Sequence, residues 1–153
     1  MVYNETDKII IRQTEIKDFE RIIAFEKNNN QFVQEYSLAE HKRVLEKECH
    51  LSIFEKGSNL LIGYIILVGV LSINKIIEFK RIVITKKGFG YGKDAVRLIK
   101  NMSFNNFGAH KIWLDVYEDN ERAIKLYKTQ GFKKEHIEST HDGRCLYVMS
   151  VNK

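Results

Sequence analysis

Two short stretches hold residues whose types and spacing could do chemistry. The first is Thr85-Lys86-Lys87-Gly88-Phe89-Gly90-Tyr91-Gly92-Lys93-Asp94. Three alternating glycines stand between a strand pattern and a helix pattern. Glycine lets the backbone turn with positive φ and lets a ligand approach closely. The free N–H groups of the helix start then face whatever sits there, which makes an anion site by geometry and dipole. Lys86, Lys87 and Lys93 add positive charge. Two phosphate motifs do not fit. The P-loop needs G-x-x-x-x-G-K-[ST]; Gly88 to Gly92 is one residue short, and Asp94 stands where a hydroxyl should hold Mg²⁺. The dinucleotide fingerprint needs G-x-G-x-x-G after a first strand, whereas here G-x-G-x-G comes after the fourth. A plain solvated turn remains the alternative.

The second stretch is Asn120-Glu121-Arg122-Ala123-Ile124-Lys125-Leu126-Tyr127, with Gly131-Phe132 shortly after it. Asn120, Ala123 and Tyr127 fall on one side of a helix. The alternative for Tyr127 is a packed aromatic with a satisfied hydroxyl. The histidines at 41, 50, 110, 136 and 141 have no ligand spacing, so no metal is implied.

Periodicity gives the elements that must position these stretches. Lys8 to Arg12 reads as a strand. Thr14 can cap a helix from Glu15 to about Lys27. Ser37-Leu38-Ala39-Glu40 is a capping-box pattern that starts a helix running to about Glu48. His50 to Glu55 and Leu60 to Val70 are strands on either side of a turn. Ile76 to Ile84 is another strand. Simple alternation points Glu78, Lys80, Ile82 and Ile84 to one face, and Ile77, Phe79, Arg81 and Val83 to the other. A helix spans about Tyr91 to Asn106, and a strand Lys111 to Tyr117. Asp119 or Asn120 then caps a helix that Gly131 ends. Strands Phe132 to Ile137 and Arg144 to Val151 finish the chain. This order predicts an α/β chain of the α+β kind: a mixed sheet of about seven strands with helices on both faces, residues 1–153 forming a single domain.

Composition sets limits. Hydrophobic content is 44% and charged content 29%, which excludes disorder, collagen and coiled coil. Leu60 to Leu71 is apolar but short of the roughly 18 residues a membrane span needs. The N-terminus lacks the basic and apolar regions of a signal peptide. Cys49 and Cys145 form no redox or metal spacing and suit a reducing cytoplasm. Residues 75–134 hold fourteen Lys/Arg against six Asp/Glu, a net +8, where the whole chain is +5. Such a block fits a polyanionic ligand, a nucleic acid or only a solvated face.

The glycine turn after a strand, with N-x-x-A-I-x-L-Y-x-x-x-G-F beyond it, resembles the GNAT superfamily of acetyl-CoA-dependent N-acetyltransferases. Its signature [QR]-x-x-G-x-[GA] maps to Lys87-Gly88-Phe89-Gly90-Tyr91-Gly92, with Lys87 keeping a donor where Arg or Gln is usual. Trp113 to Asn120 and the final F-K-K-E…D-G-R…Y-V-M-S hairpin are similar to the branch holding ribosomal-protein and polyamine acetyltransferases. The resemblance implies a largely antiparallel sheet and acetyl-CoA as co-substrate. It implies coenzyme contacts at Ile82, Val83 and Ile84, at Lys87, Gly88, Phe89, Gly90, Tyr91, Gly92 and Lys93, and at Asn120.

The reaction so implied is direct acyl transfer from a thioester to a primary amine. Freeing an amine lone pair at pH 7 costs about 4.6 kcal/mol, which a base or a desolvating pocket must offset. Glu78 is the candidate base, through a water. A backbone N–H at Ile82 or Val83 is the oxyanion donor, and Tyr127 is the acid that protonates the leaving thiolate. The acceptor is a small molecule, a polyamine or amino-acid-like amine, held by about Asn28 to Glu48, a segment that includes Phe32 and Tyr36. A peptide N-terminus, or coenzyme binding without turnover, are the alternatives. No nucleic acid or membrane partner is implied, and the chain is expected as a cytoplasmic monomer or homodimer.

Overall fold

The computed structural model describes residues 3–153. Among the described residues, eight strands form one sheet in the order β1-β2-β3-β4-β5-β6-β8-β7. They are β1 Tyr3–Glu5, β2 Ile9–Gln13, β3 Cys49–Glu55, β4 Leu61–Val68, β5 Ile76–Ile84, β6 Lys111–Tyr117, β7 Lys133–Ser139 and β8 Cys145–Asn152. Helices α1 Phe19–Asn28 and α2 Leu38–Lys47 precede β3. Helix α3 Tyr91–Asn105 comes after β5, and α4 Glu121–Thr129 after β6. The edge strand β1 is additional to the seven expected. It has three mostly exposed residues and no apolar alternation to announce it. No helix among the described residues is long and apolar enough to cross a membrane.

Every strand pair is antiparallel except β5 with β6. That parallel pairing covers only Ile76–Glu78 against Lys111–Trp113. Beyond Glu78 the two strands part, and the β6-facing edge of β5 has no strand partner as far as Ile84.

Just past the fork, β5 carries a bulge. Arg81 pairs with Ile66 and Phe79 with Leu67, so Lys80 is left over and exposed. A bulge puts two residues opposite one and re-aims the strand beyond it. The simple alternation expected for β5 is corrected accordingly. Ile77, Phe79, Ile82 and Ile84 share the core under α3 and α4, while Val83 joins the core under α1. Arg81 also turns to the α1 side, where it meets Glu26. Glu78 and Ile82 therefore lie on opposite faces.

The α2 start is as the sequence predicts. Ser37 Oγ accepts from Glu40 N, and the Glu40 side chain accepts from Ser37 N. The α1 start is not. Glu15 and Asp18 form the reciprocal cap of a short 3₁₀ turn, Ile16–Asp18. Thr14 instead is buried, with Oγ1 2.8 Å from both His50 Nδ1 and Ser52 Oγ.

Thr14 belongs to a buried polar network between α1, α2 and the sheet. At its centre is Glu26, fully buried on α1. Its carboxylate accepts from Tyr64 Oη at 2.5 Å, Arg81 Nη1 at 2.9 Å and Tyr36 N at 2.9 Å. His41 Nε2 lies 2.9 Å away, without hydrogen-bonding geometry. His41 Nδ1 meets His50 Nε2 at 3.1 Å. Burial pushes the Glu26 pKa up, but the hydrogen bonds and His41 outweigh it and hold the group below its ordinary value. A buried charge this well partnered is tolerated, whereas removing one partner typically costs about 3–5 kcal/mol.

His50 gives this network a pH signature. Burial, then the His41 charge, pull its pKa from 6.5 down to about 3. Between those values the unfolded chain binds a proton that the folded chain refuses. The stability tied to neutral His50 is therefore complete above about pH 6.5 and lost as pH falls, at up to about 1.4 kcal/mol per unit. Urea unfolding at pH 7, 6 and 5 should show this slope, and His50→Gln should flatten it. An equal slope in both proteins would contradict the assignment.

Candidate active site

The fork opens into a cleft of about 410 Å³. Its floor is Ile82, Val83 and Ile84. One wall is the glycine turn with Lys86, Lys87, Gly88, Gly90, Tyr91, Gly92 and Lys93. A second wall is the α4 face, Asn120, Arg122, Ala123, Leu126 and Tyr127. Asn29, Phe32 and Val33, from the segment between α1 and α2, complete it. Most of the residues singled out in the sequence thus meet around one space. Glu78 and Phe89 do not line it. Phe89 is half exposed and stacks on Tyr91 at 5.6 Å.

Gly63 fixes the floor from below. A methyl group there would collide with the Val83 carbonyl oxygen, so only glycine lets β4 come this close.

The turn has the backbone an anion site needs. Gly88 and Gly90 have φ of 86° and 79°, and Gly90 caps α3. From Lys86 through Lys93 no backbone N–H donates to a protein acceptor among the described residues; the first to do so is Asp94 N, to Gly90 O at 3.1 Å. Such a row of free donors at a helix N-terminus favours negative charge. The lysines differ in role. Lys86 Nζ is held by Glu55 Oε2 at 2.7 Å, beside the Tyr91 hydroxyl at 2.6 Å. These bonds, Lys86 first, take the Glu55 pKa down to about 2. Lys87 has no acidic partner among the described residues, and burial together with repulsion from Arg122 lowers its pKa.

Across the cleft, Asn120 Oδ1 accepts from Ala123 N at 3.3 Å and caps α4. Its NH₂ group remains available to a ligand. Tyr127 is 9% exposed, and its hydroxyl has no hydrogen-bond partner among the described residues. Burial, then the nearby Asp115 charge, push its pKa up, so at neutral pH it keeps its proton. The hydroxyl reaches the open cleft that Tyr127 lines, where it is free to donate to a ligand.

Glu78 stands at the apex of the fork, paired with Trp113. Burial raises its pKa; Lys80, 3.9 Å away, partly offsets this, and Asp115 and Glu48 raise it further. It is a carboxylate whose proton affinity is increased, beside the cleft rather than in it. Among the described residues, no group of three or more His, Cys, Asp or Glu side chains is placed to hold a metal.

Sequence reasoning does not single out Arg122 or Leu126; Lys86 enters only as a flanking charge, Ala123 only by its place on the helix face, and Asn29 and Val33 only within the acceptor segment. Arg122 carries the one usable signal, a charge two residues past the cap in the basic block. Phe32 is marked in the sequence only as part of the acceptor segment.

Residues 8–133 match the acetyltransferase (GNAT) domain. The chain belongs to the GNAT acetyltransferase family. It is 27% identical over 121 residues to a spermidine N(1)-acetyltransferase of Vibrio cholerae, covering 71% of this chain and 70% of that one. It is 25% identical over 149 residues to a probable N-acetyltransferase of Bacillus subtilis, covering 84% and 82%. The crystal structure of the spermidine N-acetyltransferase of Vibrio cholerae in complex with CoA and spermine superposes with a TM-score of 0.82, 23% identity and 96% coverage of each chain. A Bacillus anthracis GNAT acetyltransferase gives 0.82 at 16% identity, covering 99% and 98%. The fold is therefore the family's, and the chain is an acyltransferase.

Lys87 is held where its charge is unwelcome without an anion, so stability and binding should separate there. Lys87→Met should leave the melting temperature of the ligand-free protein unchanged or higher. It should weaken inorganic pyrophosphate binding about tenfold, as loss of one charged contact implies. Loss of stability with intact binding would show that Lys87 is structural.

Proposed function

We propose that this acetyltransferase moves an acetyl group from acetyl-CoA to a primary amine of a small polycation of the polyamine class, by direct transfer in a ternary complex. The observation that carries the reading is the unpartnered hydroxyl of Tyr127 in the cleft, with a row of free N–H donors on one side and the fork with Glu78 on the other.

The residues suit the coenzyme. The free N–H groups of 86–93 and the Lys87 ammonium would hold the pyrophosphate. The open edge of β5 at Ile82, Val83 and Ile84 would hydrogen-bond an extended amide arm as a missing strand would. Asn120 would bond the same arm. When bound, acetyl-CoA supplies an activated thioester.

The chain's own groups do the rest. Glu78, with its raised proton affinity, takes a proton from the acceptor ammonium through a water. A backbone N–H of Ile82 or Val83 stabilises the charge that develops on the carbonyl oxygen. Tyr127, whose burial keeps it protonated, gives its proton to the leaving sulfur. Glu78 also supports a cationic acceptor directly, since its neighbours Asp115 and Glu48 put further negative charge at the fork. The Vibrio cholerae relative named for spermidine points the same way.

Thiol release from acetyl-CoA tests the reading against spermidine, spermine and a peptide bearing a free N-terminus. Polyamines should be turned over fastest. A faster peptide would favour a protein N-terminal acetyltransferase, and no release with any acceptor would leave coenzyme binding alone.

Tyr127→Phe removes a hydroxyl that bonds nothing in the protein, so it should not lower the melting temperature. It should lower kcat by roughly 10²–10⁴-fold if the hydroxyl is the acid. The defect should shrink with an acetyl donor whose thiol has a low pKa. Near-normal kcat would remove Tyr127 from the chemistry.

Glu78→Gln should slow turnover chiefly below about pH 8, because higher pH frees part of the amine unaided. A uniform loss across pH would count against a base.

A further inference from the structure

The segment 29–37 forms part of the cleft through Asn29, Phe32 and Val33. It is fastened at two places. Near its C-terminal end, Tyr36 N donates to buried Glu26 at 2.9 Å, and the Arg81 guanidinium lies 4.0 Å above the Tyr36 ring. Between Asn29 and Phe32 the fastening comes from 113 residues away. Arg144, in the turn between β7 and β8, donates from Nη1 to Gln31 O at 2.8 Å. Its Nη2 donates to Asp119 Oδ1 at 3.2 Å, next to the Asn120 cap of α4. Its Cζ sits 3.5 Å from the centre of the Tyr117 ring at the end of β6. No other hydrogen bond joins segment 29–37 to the β6–α4 side among the described residues.

Arg144 is itself firmly placed. Thr140 N donates to Arg144 O at 2.8 Å, and Arg144 N donates to Thr140 Oγ1 at 3.1 Å, closing the turn around Gly143. One planar fork thus joins a neighbour of Phe32 to a neighbour of Asn120, behind two walls of the cleft. A guanidinium can do this because it presents several donors in fixed directions and still stacks on a ring, which an ammonium cannot.

We infer that Arg144 is a positioning residue for the acceptor: it straps segment 29–37 to the start of α4 and so sets the width of the cleft on the side where the amine must enter. This rests on the acetyl-transfer reading above. Of the acetyl-CoA contacts proposed there, the glycine turn and the β5 edge are untouched by Arg144, and Asn120, next to Asp119, keeps its own bond to Ala123 N when the guanidinium is gone. Loosening the strap therefore costs acceptor binding rather than coenzyme binding. Segment 29–37 stays tethered by Glu26 and becomes mobile only toward Gln31.

The test uses the full chain with Arg144→Ala and Arg144→Lys, spermidine as acceptor, and amide hydrogen exchange of residues 29–36. In Arg144→Ala the spermidine KM should rise about tenfold, as loss of charged hydrogen bonds implies, while the acetyl-CoA KM stays within about twofold. Exchange in 29–36 should quicken. Arg144→Lys, which keeps one charged donor, should recover part of both effects. Exchange as slow as in the unmodified protein would overturn the inference. So would an unchanged spermidine KM despite faster exchange, or a parallel rise in both KM values. If the unmodified protein acetylates no amine, the acetyl-transfer reading fails, and the exchange measurement still decides whether Arg144 is the strap.

Discussion

A single limit on strand pairing governs this molecule. The sheet is continuous except that β5 and β6 hold together only as far as Glu78 and Trp113. Buried backbone N–H and C=O groups must be paired, so an unpaired strand edge inside a fold is a standing demand for a partner. Here the demand opens onto the cleft, beside the almost fully buried β4. The bulge at Lys80 makes the parting possible, because it re-aims β5 while β5 keeps its pairing with β4. Antiparallel neighbours on both outer flanks keep the two halves in place.

The groups around the opening have few protein partners, whereas the Glu26 carboxylate behind it has several. Tyr127 has a bare hydroxyl, Lys87 an unpaired charge depressed by burial and Arg122, and the glycine turn a row of idle donors. On the other face, Glu26 accepts from donors of β4, β5 and the segment after α1, with His41 of α2 beside it. The two regions share β5: Arg81 is locked into the Glu26 network, while its neighbours Ile82 and Val83 form the cleft floor. A rigid support on one side thus holds groups on the other that would otherwise relax into bonds with each other. In the proposed reaction that arrangement matters, since donors aimed in advance act without reorganising.

Local chemistry is legible in the sequence, and pairing over distance is not. Ser37 and Glu40, Gly131 ending α4, and the glycines at 88, 90 and 92 each act through neighbours a few residues away, so their types announce their roles. Asn120 and Tyr127 stand out for the same reason, aided by a family pattern. The bulge at Lys80 is invisible because it is decided by how β4 pairs, not by the residues of β5. Thr14 looks like a cap, but a buried contact with His50 and Ser52 claims it first. Glu26 carries no local mark at all: four elements converge on it, and nothing in an amphipathic helix says that one of its glutamates is buried. Phe32 lines the cleft and Arg144 braces its neighbour Gln31 from the far end of the chain, a meeting that only the folded topology brings about.

The most direct test of the fork as the place of reaction is a titration of uniformly ¹⁵N-labelled protein with acetyl-CoA, monitored by amide NMR. The amides of Ile82 to Ile84 and of Lys86 to Lys93 should shift most and exchange more slowly on binding, while those of β7 and β1 stay where they are. Shifts concentrated away from the fork, with Ile82, Val83 and the glycine turn undisturbed at saturation, would contradict it.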